Sequence, residues 1–353
     1  MTEPIYFDAR YIRIGHHDGI SRFSAGVCAA LAKKTEVIAI IYDLRQLEKL
    51  PTGIKHVILN DPTKPLAELF IARKLNKLGA KRVFSPMQTM GSWFKKYKLV
   101  LTLHDLIYYS HPTPPPSFSW PIQLGWRLFH LTYIPQRLML NGADHVVTVS
   151  QTTKTLMLQH RLTKRPISVV YNAGSEPSTV GNRQVTKNLV YMGSFMDYKN
   201  VECLIDAMAS LEDFQLHLLS RITDHRRTEL TTRAGLAASR VMFHNGVSDD
   251  EYHNILKDAF ALVSASLDEG FGIPVVEAME LGTPAVISDI AIFREIGGDA
   301  AQYFDANNPK DLAMKLRQLE KTWQSVSQRS ILQAEKFTWE HSADALLEVM
   351  TEL

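Results

Sequence analysis

Cysteine is nearly absent: Cys28 and Cys203 are the only two among 353 residues, far apart and without metal-ligand spacing. That argues against a disulfide framework and fits a reducing compartment. An excess of one charge sign is also missing. Lys and Arg number 39 against 37 Asp and Glu, and a formal charge of +2 gives no general basis for nucleic-acid binding. A sequence pI near 8.4 still permits a local basic patch. No uninterrupted apolar run reaches the roughly 20 residues that span a bilayer. The first residues run straight into a strand-like Ile5–Asp8 with no signal-peptide pattern. The expectation is a cytoplasmic protein, with contact at the inner face of the membrane left open. Internal repeats and low-complexity tracts are absent as well.

What is present is apolar substance, 45% of the residues, enough for two cores in a chain of this length. Short β-branched runs alternate with helical patterns, which implies parallel sheets covered by helices on both faces. Strands are expected near Ile5–Asp8, Val37–Tyr42, His56–Leu59, Arg82–Ser85, Leu99–His104, His145–Ser150 and Ser168–Tyr171. A second set falls near Leu189–Met192, Gln215–Ser220, Val241–His244, Ala261–Ala265, Ala285–Ser288 and Ala301–Phe304. Between the sets, Asn172–Arg183 is rich in small and turn-forming residues and reads as a linker. The expected division is a first domain over 1–172, a linker over 173–187, a second domain over 188–335 and a final helix over 336–353. That helix has Thr338 as its N-cap and apolar residues at helical spacing.

The densest chemistry lies in Glu269-Gly-Phe-Gly-Ile-Pro-Val-Val-Glu277, directly after the strand near Ala261–Ala265. Glu269 is expected in the loop at the strand end and Glu277 in the first turn of the next helix, with Pro274 as that helix's first residue. Gly270, Phe271, Gly272 and Ile273 can aim backbone N–H groups at an anion, and a helix N-terminus adds partial positive charge. Acids that accept sugar hydroxyls around a phosphate cradle suit a nucleotide-sugar. The plain alternative is a strand–loop–helix connection whose glycines only make the turn and whose acids only serve the helix dipole.

This segment, with seven residues between its acids, resembles the signature of the retaining family-four glycosyltransferases, some of which transfer mannose. The resemblance implies the GT-B fold: two Rossmann-like, doubly wound α/β domains facing a central cleft, with a C-terminal helix crossing back to the first domain. Other stretches resemble the same family. Gly193, Ser194 and Lys199 match its first loop of the second domain, where a basic residue meets the donor diphosphate. Family members commonly carry an arginine where Ser194 or Tyr198 stands here, so a second positive charge would have to come from Arg221 or Arg22. Gly19 and Arg22 match the N-terminal glycine loop near the phosphates, with His16 and His17 read as plain loop histidines. His104 and Asp105 close a strand before a loop containing Pro112 and Pro114–Pro116, and match the pair beside the transferred sugar. Val247 lies in the loop implied to hold the base, and the neighbouring Asp249 and Asp250 read as a helix start, not a metal site.

The implied activity is metal-independent transfer of a hexose from GDP-mannose or a UDP-hexose to a hydroxyl of a glycan or lipid-linked acceptor. No cofactor beyond that substrate and no nucleic-acid partner is expected. Glu269, His104, Asp105 and Lys199 would carry catalysis, and Glu277 would hold the ribose. The alternative is a GT-B protein that binds a nucleotide-sugar as a partner subunit without turnover. A dehydrogenase would want Gly-x-Gly-x-x-Gly after the first strand, where Asp8-Ala-Arg-Tyr-Ile-Arg stands. A phosphorylase would need a lysine for pyridoxal phosphate, and no lysine has a distinctive context. Trp93-Phe-Lys-Lys-Tyr-Lys98 combines aromatics and lysines. The favoured reading packs its rings under the next strand, and the rival one sets it against anionic lipid.

Overall fold

The computed structural model describes residues 3–15, 18–114, 118–174 and 183–353. His16, His17, Pro115, Pro116 and most of the linker lie outside them. The described chain divides into two units, Met1–Ala173 with Thr338–Leu353, and Gly174–Phe337.

The first unit holds β1 (Ile5–Asp8), β2 (Val37–Ile41), β3 (Lys55–Ile58), β4 (Arg82–Ser85), β5 (Lys98–Leu103), β6 (His145–Thr148) and β7 (Ile167–Val169). They form one sheet in the order β3-β2-β1-β4-β5-β6-β7 with every pairing parallel. Central strands such as β6, His-Val-Val-Thr, are buried at every position, as a parallel sheet covered on both faces requires. The edge strand β3 is mostly exposed and carries Lys55, a charge that discourages edge pairing.

The second unit holds β8 (Asn188–Tyr191), β9 (Gln215–Leu218), β10 (Val241–Phe243), β11 (Ala261–Ser264), β12 (Ala285–Ser288) and β13 (Gln302–Phe304). Their order is β10-β9-β8-β11-β12-β13, again all parallel. All thirteen expected strands are present, most ending one or two residues earlier than the apolar pattern suggested. Strand order reverses direction beside β8, so the loops after β8 and β11 flank a topological switch point, where open α/β sheets bind ligands.

The helix Trp339–Thr351 belongs to the first unit, where it packs on the helix Gly19–Ala32. Gly26 makes this approach possible: a Cβ there would stand 2.3 Å from Cε2 of Trp339. Lys33–Glu340 and Lys34–Asp344 ion pairs rim the contact, and Ser342 Oγ donates to the Tyr171 carbonyl at 2.7 Å. A tight three-part ion cluster lies at the end of β1, where the buried Arg10 is gripped by Asp8 and Glu68. Nothing in the spacing of these three residues announced it.

Candidate active site

Three loops of the second unit converge at its switch point. After β8, Gly193 N–H donates to Ser220 Oγ, at the end of β9, over 3.1 Å, and Tyr191 Oη donates to the Ser194 carbonyl at 2.5 Å. The loop ends in a short turn over Asp197–Lys199, closed by Asn200 in the left-handed region, a conformation that asparagine tolerates. Leu267 N–H, after β11, donates to the Tyr198 carbonyl at 2.7 Å and joins the two loops.

Lys199 Nζ meets Glu269 Oε1 at 2.5 Å, and both side chains are only 14% exposed. Ser266 Oγ donates to the same carboxylate oxygen at 2.9 Å, while its backbone carbonyl accepts from Ser288 Oγ. Glu269 is therefore aimed by two side chains from two loops. Sequence reasoning found the acid and the lysine as separate motifs but not their direct pairing, and it passed over Ser266.

Glu277 is placed differently from expectation. The helix runs Ile273–Glu280 with Pro274 as its second residue, so Glu277 falls in the second turn. A carboxylate there is past the N–H groups of the helix start, so it does not serve the dipole. It is buried, and Tyr252 Oη donates to its Oε2 at 2.8 Å. Tyr252 stands on the helix Asp249–Asp258, 25 residues earlier in sequence, too far for any local period to reveal the pair. Gly272, the N-cap, has φ +102°, a conformation L side chains rarely adopt, and a Cβ would stand 3.0 Å from the Phe293 ring. Phe271 is buried with its ring 5.7 Å from that of Phe337, so it offers a ligand only its backbone.

Glu280, one turn beyond Glu277, was not foreseen. Burial, then the charge of Glu277, pushes its carboxyl up to about 8, against an opposing hydrogen bond from Gly174 N–H. The folded state thus keeps a proton that the unfolded chain gives up near the ordinary value of 4.5. The resulting stability is complete below 4.5 and is lost as pH rises to about 8. The melting temperature should fall by several degrees between pH 6 and pH 9 in scanning calorimetry, and Glu280→Gln should flatten that slope. An unchanged slope would show that Glu280 is not the group responsible.

At the outer strands, Arg221 is exposed and its Cγ lies 3.0 Å from where a Cβ of Gly246 would be, beside Val247. Ser248 caps the next helix in a reciprocal capping box with Glu251, which accounts for the Ser-Asp-Asp-Glu string. Among the described residues no group of three or more His, Cys, Asp or Glu side chains is arranged to hold a metal ion.

In the first unit, Gly19 opens the helix Gly19–Ala32, capped by Asp18, and Arg22 is half-buried in its first turn. His104 follows β5 directly, with Nε2 2.7 Å from the Pro86 carbonyl and the Phe23 ring edge-on at 5.2 Å. Burial lowers its pKa, so the neutral ring donates from Nε2 to the carbonyl, which can only accept, and Nδ1 is left as an acceptor. Asp105 accepts from Ile107 N–H and starts the next short helix. In Trp93–Lys98 only Tyr97 packs inward; Trp93 and Phe94 are about two-thirds exposed, which corrects the expectation that all three rings lie under β5. Phe94 lies beneath the Arg73 guanidinium, and Lys95 is paired with Asp144.

Residues 18–173 match the family described as Glycosyltransferase Family 4, and residues 177–337 match Glycosyl transferases group 1. With two parallel Rossmann-like sheets and the returning C-terminal helix, the fold is GT-B, and the chain has the domain makeup of a GT-B glycosyltransferase. It is 29% identical over 231 residues to the O-antigen chain mannosyltransferase RfbU of Salmonella typhimurium, a match spanning 64% of this chain and 59% of that relative's length. Among solved structures it is similar in fold to a sucrose-phosphate synthase from Thermosynechococcus elongatus, with TM-score 0.74, 16% identity and 99% of both chains covered. It is similar also to Anabaena HepE in complex with UDP and glucose, with TM-score 0.71, 18% identity and full coverage of both chains. No helix among the described residues is long and apolar enough to cross a membrane.

Proposed function

We propose that the chain transfers a hexose, with retention at the anomeric carbon, from a nucleoside-diphosphate sugar to a hydroxyl of a glycan or lipid-linked acceptor. The observation that carries this reading is the Lys199–Glu269 pair held between the loops after β8 and β11, with Glu277 on the helix that follows. A cation for the diphosphate and two oriented acids for hydroxyls stand at the position where this fold class takes its ligands. The lean to mannose rests on the similarity to the mannosyltransferase RfbU, while the similarity to HepE, solved with UDP and glucose, speaks for a UDP-sugar.

In the proposed reaction the bond between the anomeric carbon and the phosphate oxygen breaks. A bond to the acceptor oxygen forms on the same face, and the acceptor's proton passes to the departing phosphate oxygen. Charge grows on that phosphate, so Lys199 and the backbone at Gly270–Gly272 act most strongly in the transition state. Glu269 takes the sugar hydroxyls and Glu277 the ribose. Asp105 and the Nδ1 acceptor of His104 orient hydroxyls of the sugar or acceptor. Gly19, Arg22, Gly193, Ser194, Arg221, Val247 and Ile273 complete the donor contacts, and Arg22 or Arg221 supplies the second positive charge.

Calorimetric titration with GDP-mannose, UDP-glucose and ADP-glucose, followed by a turnover assay with the donor that binds, tests the reading. Turnover should survive EDTA, because protein cations and backbone dipoles serve the diphosphate; complete loss restored by Mg²⁺ or Mn²⁺ would sink the metal-independent clamp. Donor binding without hydrolysis or transfer would instead support a non-catalytic partner subunit.

A further inference from the structure

The helix Trp120–His130 has no buried residue. Trp120, Leu124 and Leu128 recur along it at the spacing of one helical stripe, Leu131 continues the stripe as the C-cap, and each is more than half exposed. Ile134 and Leu138 extend the apolar surface onto the next helix, Ile134–Asn141, at 57% and 73% exposure. The stripe is not simply the wrong face of a loosely packed helix, because a different face already packs. Trp126 meets the Tyr108 ring at 4.9 Å, and His130 meets Tyr109 at 5.1 Å. An exposed apolar area of this extent marks an interaction surface.

Charge says which kind of surface it meets. From Leu106 to Ala143 there is no Asp or Glu, where the chain's average of 37 acids in 353 residues would place about four. Between Leu106 and Gly174 the single acid is Asp144, and it is paired with Lys95. Arg127 lies along the border of the stripe. Arg137 donates to the carbonyls of His160 and Arg161, and Arg165 to that of Asn141, so the exposed Arg161, Lys164 and Arg165 stand beside the second helix.

We propose that these two helices form a docking surface for an anionic lipid bilayer, with the leucine stripe at the headgroup–acyl boundary and the basic residues on lipid phosphates. Apolar burial and attraction to anionic lipid are the two contributions that hold amphipathic helices in an interface. A second copy of the chain is the poorer occupant. A two-fold contact through this patch would set arginine against arginine with no acid to answer it. The proposal does not depend on the transfer reading, since vesicle binding needs no turnover.

Co-sedimentation of the full chain with phosphatidylcholine vesicles, with and without phosphatidylglycerol, tests it. Binding should require phosphatidylglycerol and weaken in high salt. Leu124→Glu/Leu128→Glu/Leu131→Glu should lower apparent vesicle affinity by at least about tenfold with an unchanged circular dichroism spectrum. Trp120→Asp should act in the same direction should the triple variant not fold. Trp93→Ala/Phe94→Ala should bind as the natural chain does. The proposal is overturned by absence of binding at low salt, by undiminished binding of the stripe variants, or by loss confined to the Trp93/Phe94 variant. A concentration-dependent dimer in ultracentrifugation that the stripe variants abolish would also overturn it, in favour of a second copy.

Discussion

Glu269→Gln should lower the turnover number at least a hundredfold in the transfer assay. The amide keeps the shape of the side chain and can still accept from Ser266, but it removes the charge that holds Lys199 at the switch point. Lys199 then loses its orientation toward a diphosphate, and the sugar loses an anionic partner. Together these approach the loss of one charged transition-state contact, about 3 kcal/mol, or somewhat over a hundredfold in rate. Glu277→Gln should act chiefly on donor affinity, raising KM, because its proposed ribose contact is the same in ground and transition states. Tyr252→Phe should do the same more weakly by releasing Oε2. Wild-type kinetics in both glutamine variants would show that the acids have been assigned to the wrong task.

The largest effect on stability is expected from Arg10→Met. Arg10 donates from Nε and Nη2 to Asp8 at 2.7 and 2.9 Å, and from Nη1 and Nη2 to Glu68 at 2.8 and 2.9 Å. Ser85 Oγ adds a bond to Asp8, and Asn60 contributes its carbonyl to Arg10. Methionine would fill much of the space but leave two buried carboxylates facing one another. Removing one partner of a buried ionic cluster typically costs about 3–5 kcal/mol, since the orphaned charge keeps its desolvation penalty. Urea denaturation followed by circular dichroism should show the transition of the first unit moving to lower denaturant, with an extrapolated unfolding free energy smaller by that amount. A loss below about 1 kcal/mol would mean that solvent or a proton relieves the acids, against the burial of the cluster.

The sheets were legible because parallel strands buried on both faces are written as continuous β-branched runs, such as Ala-Val-Ile-Ser at β12. Strand ends were not, because apolar residues continue past the last ladder bond: Val149 is buried although β6 stops at Thr148. In the candidate site, the Gly-Phe-Gly turn could be read from local backbone chemistry. The Tyr252–Glu277 bond and the Arg10 cluster could not, since each joins residues from separate elements with no period relating them. Placing Glu277 in the first turn came from taking Pro274 as the helix start; the helix begins one residue earlier, at Ile273, which makes Glu277 its fifth residue. The solvent-facing stripe from Trp120 to Leu131 escaped notice for another reason. A pattern of apolar residues at helical spacing states that one face differs from the others, and only packing states which face is turned inward.

The docking of Trp339 against Gly26 also sets a timetable for synthesis. The first unit is completed by residues 338–353, so its helix Gly19–Ala32 waits uncovered until residues 174–337 have been made. Domains generally fold as units in the order in which they leave the ribosome. Here the unit that begins first is able to finish only last, while the continuous Gly174–Phe337 segment has all of its strands available earlier. Until residue 339 has been made, the side of that helix which Trp339 covers, at Phe23 and Gly26, has no partner from the rest of its own unit to close it.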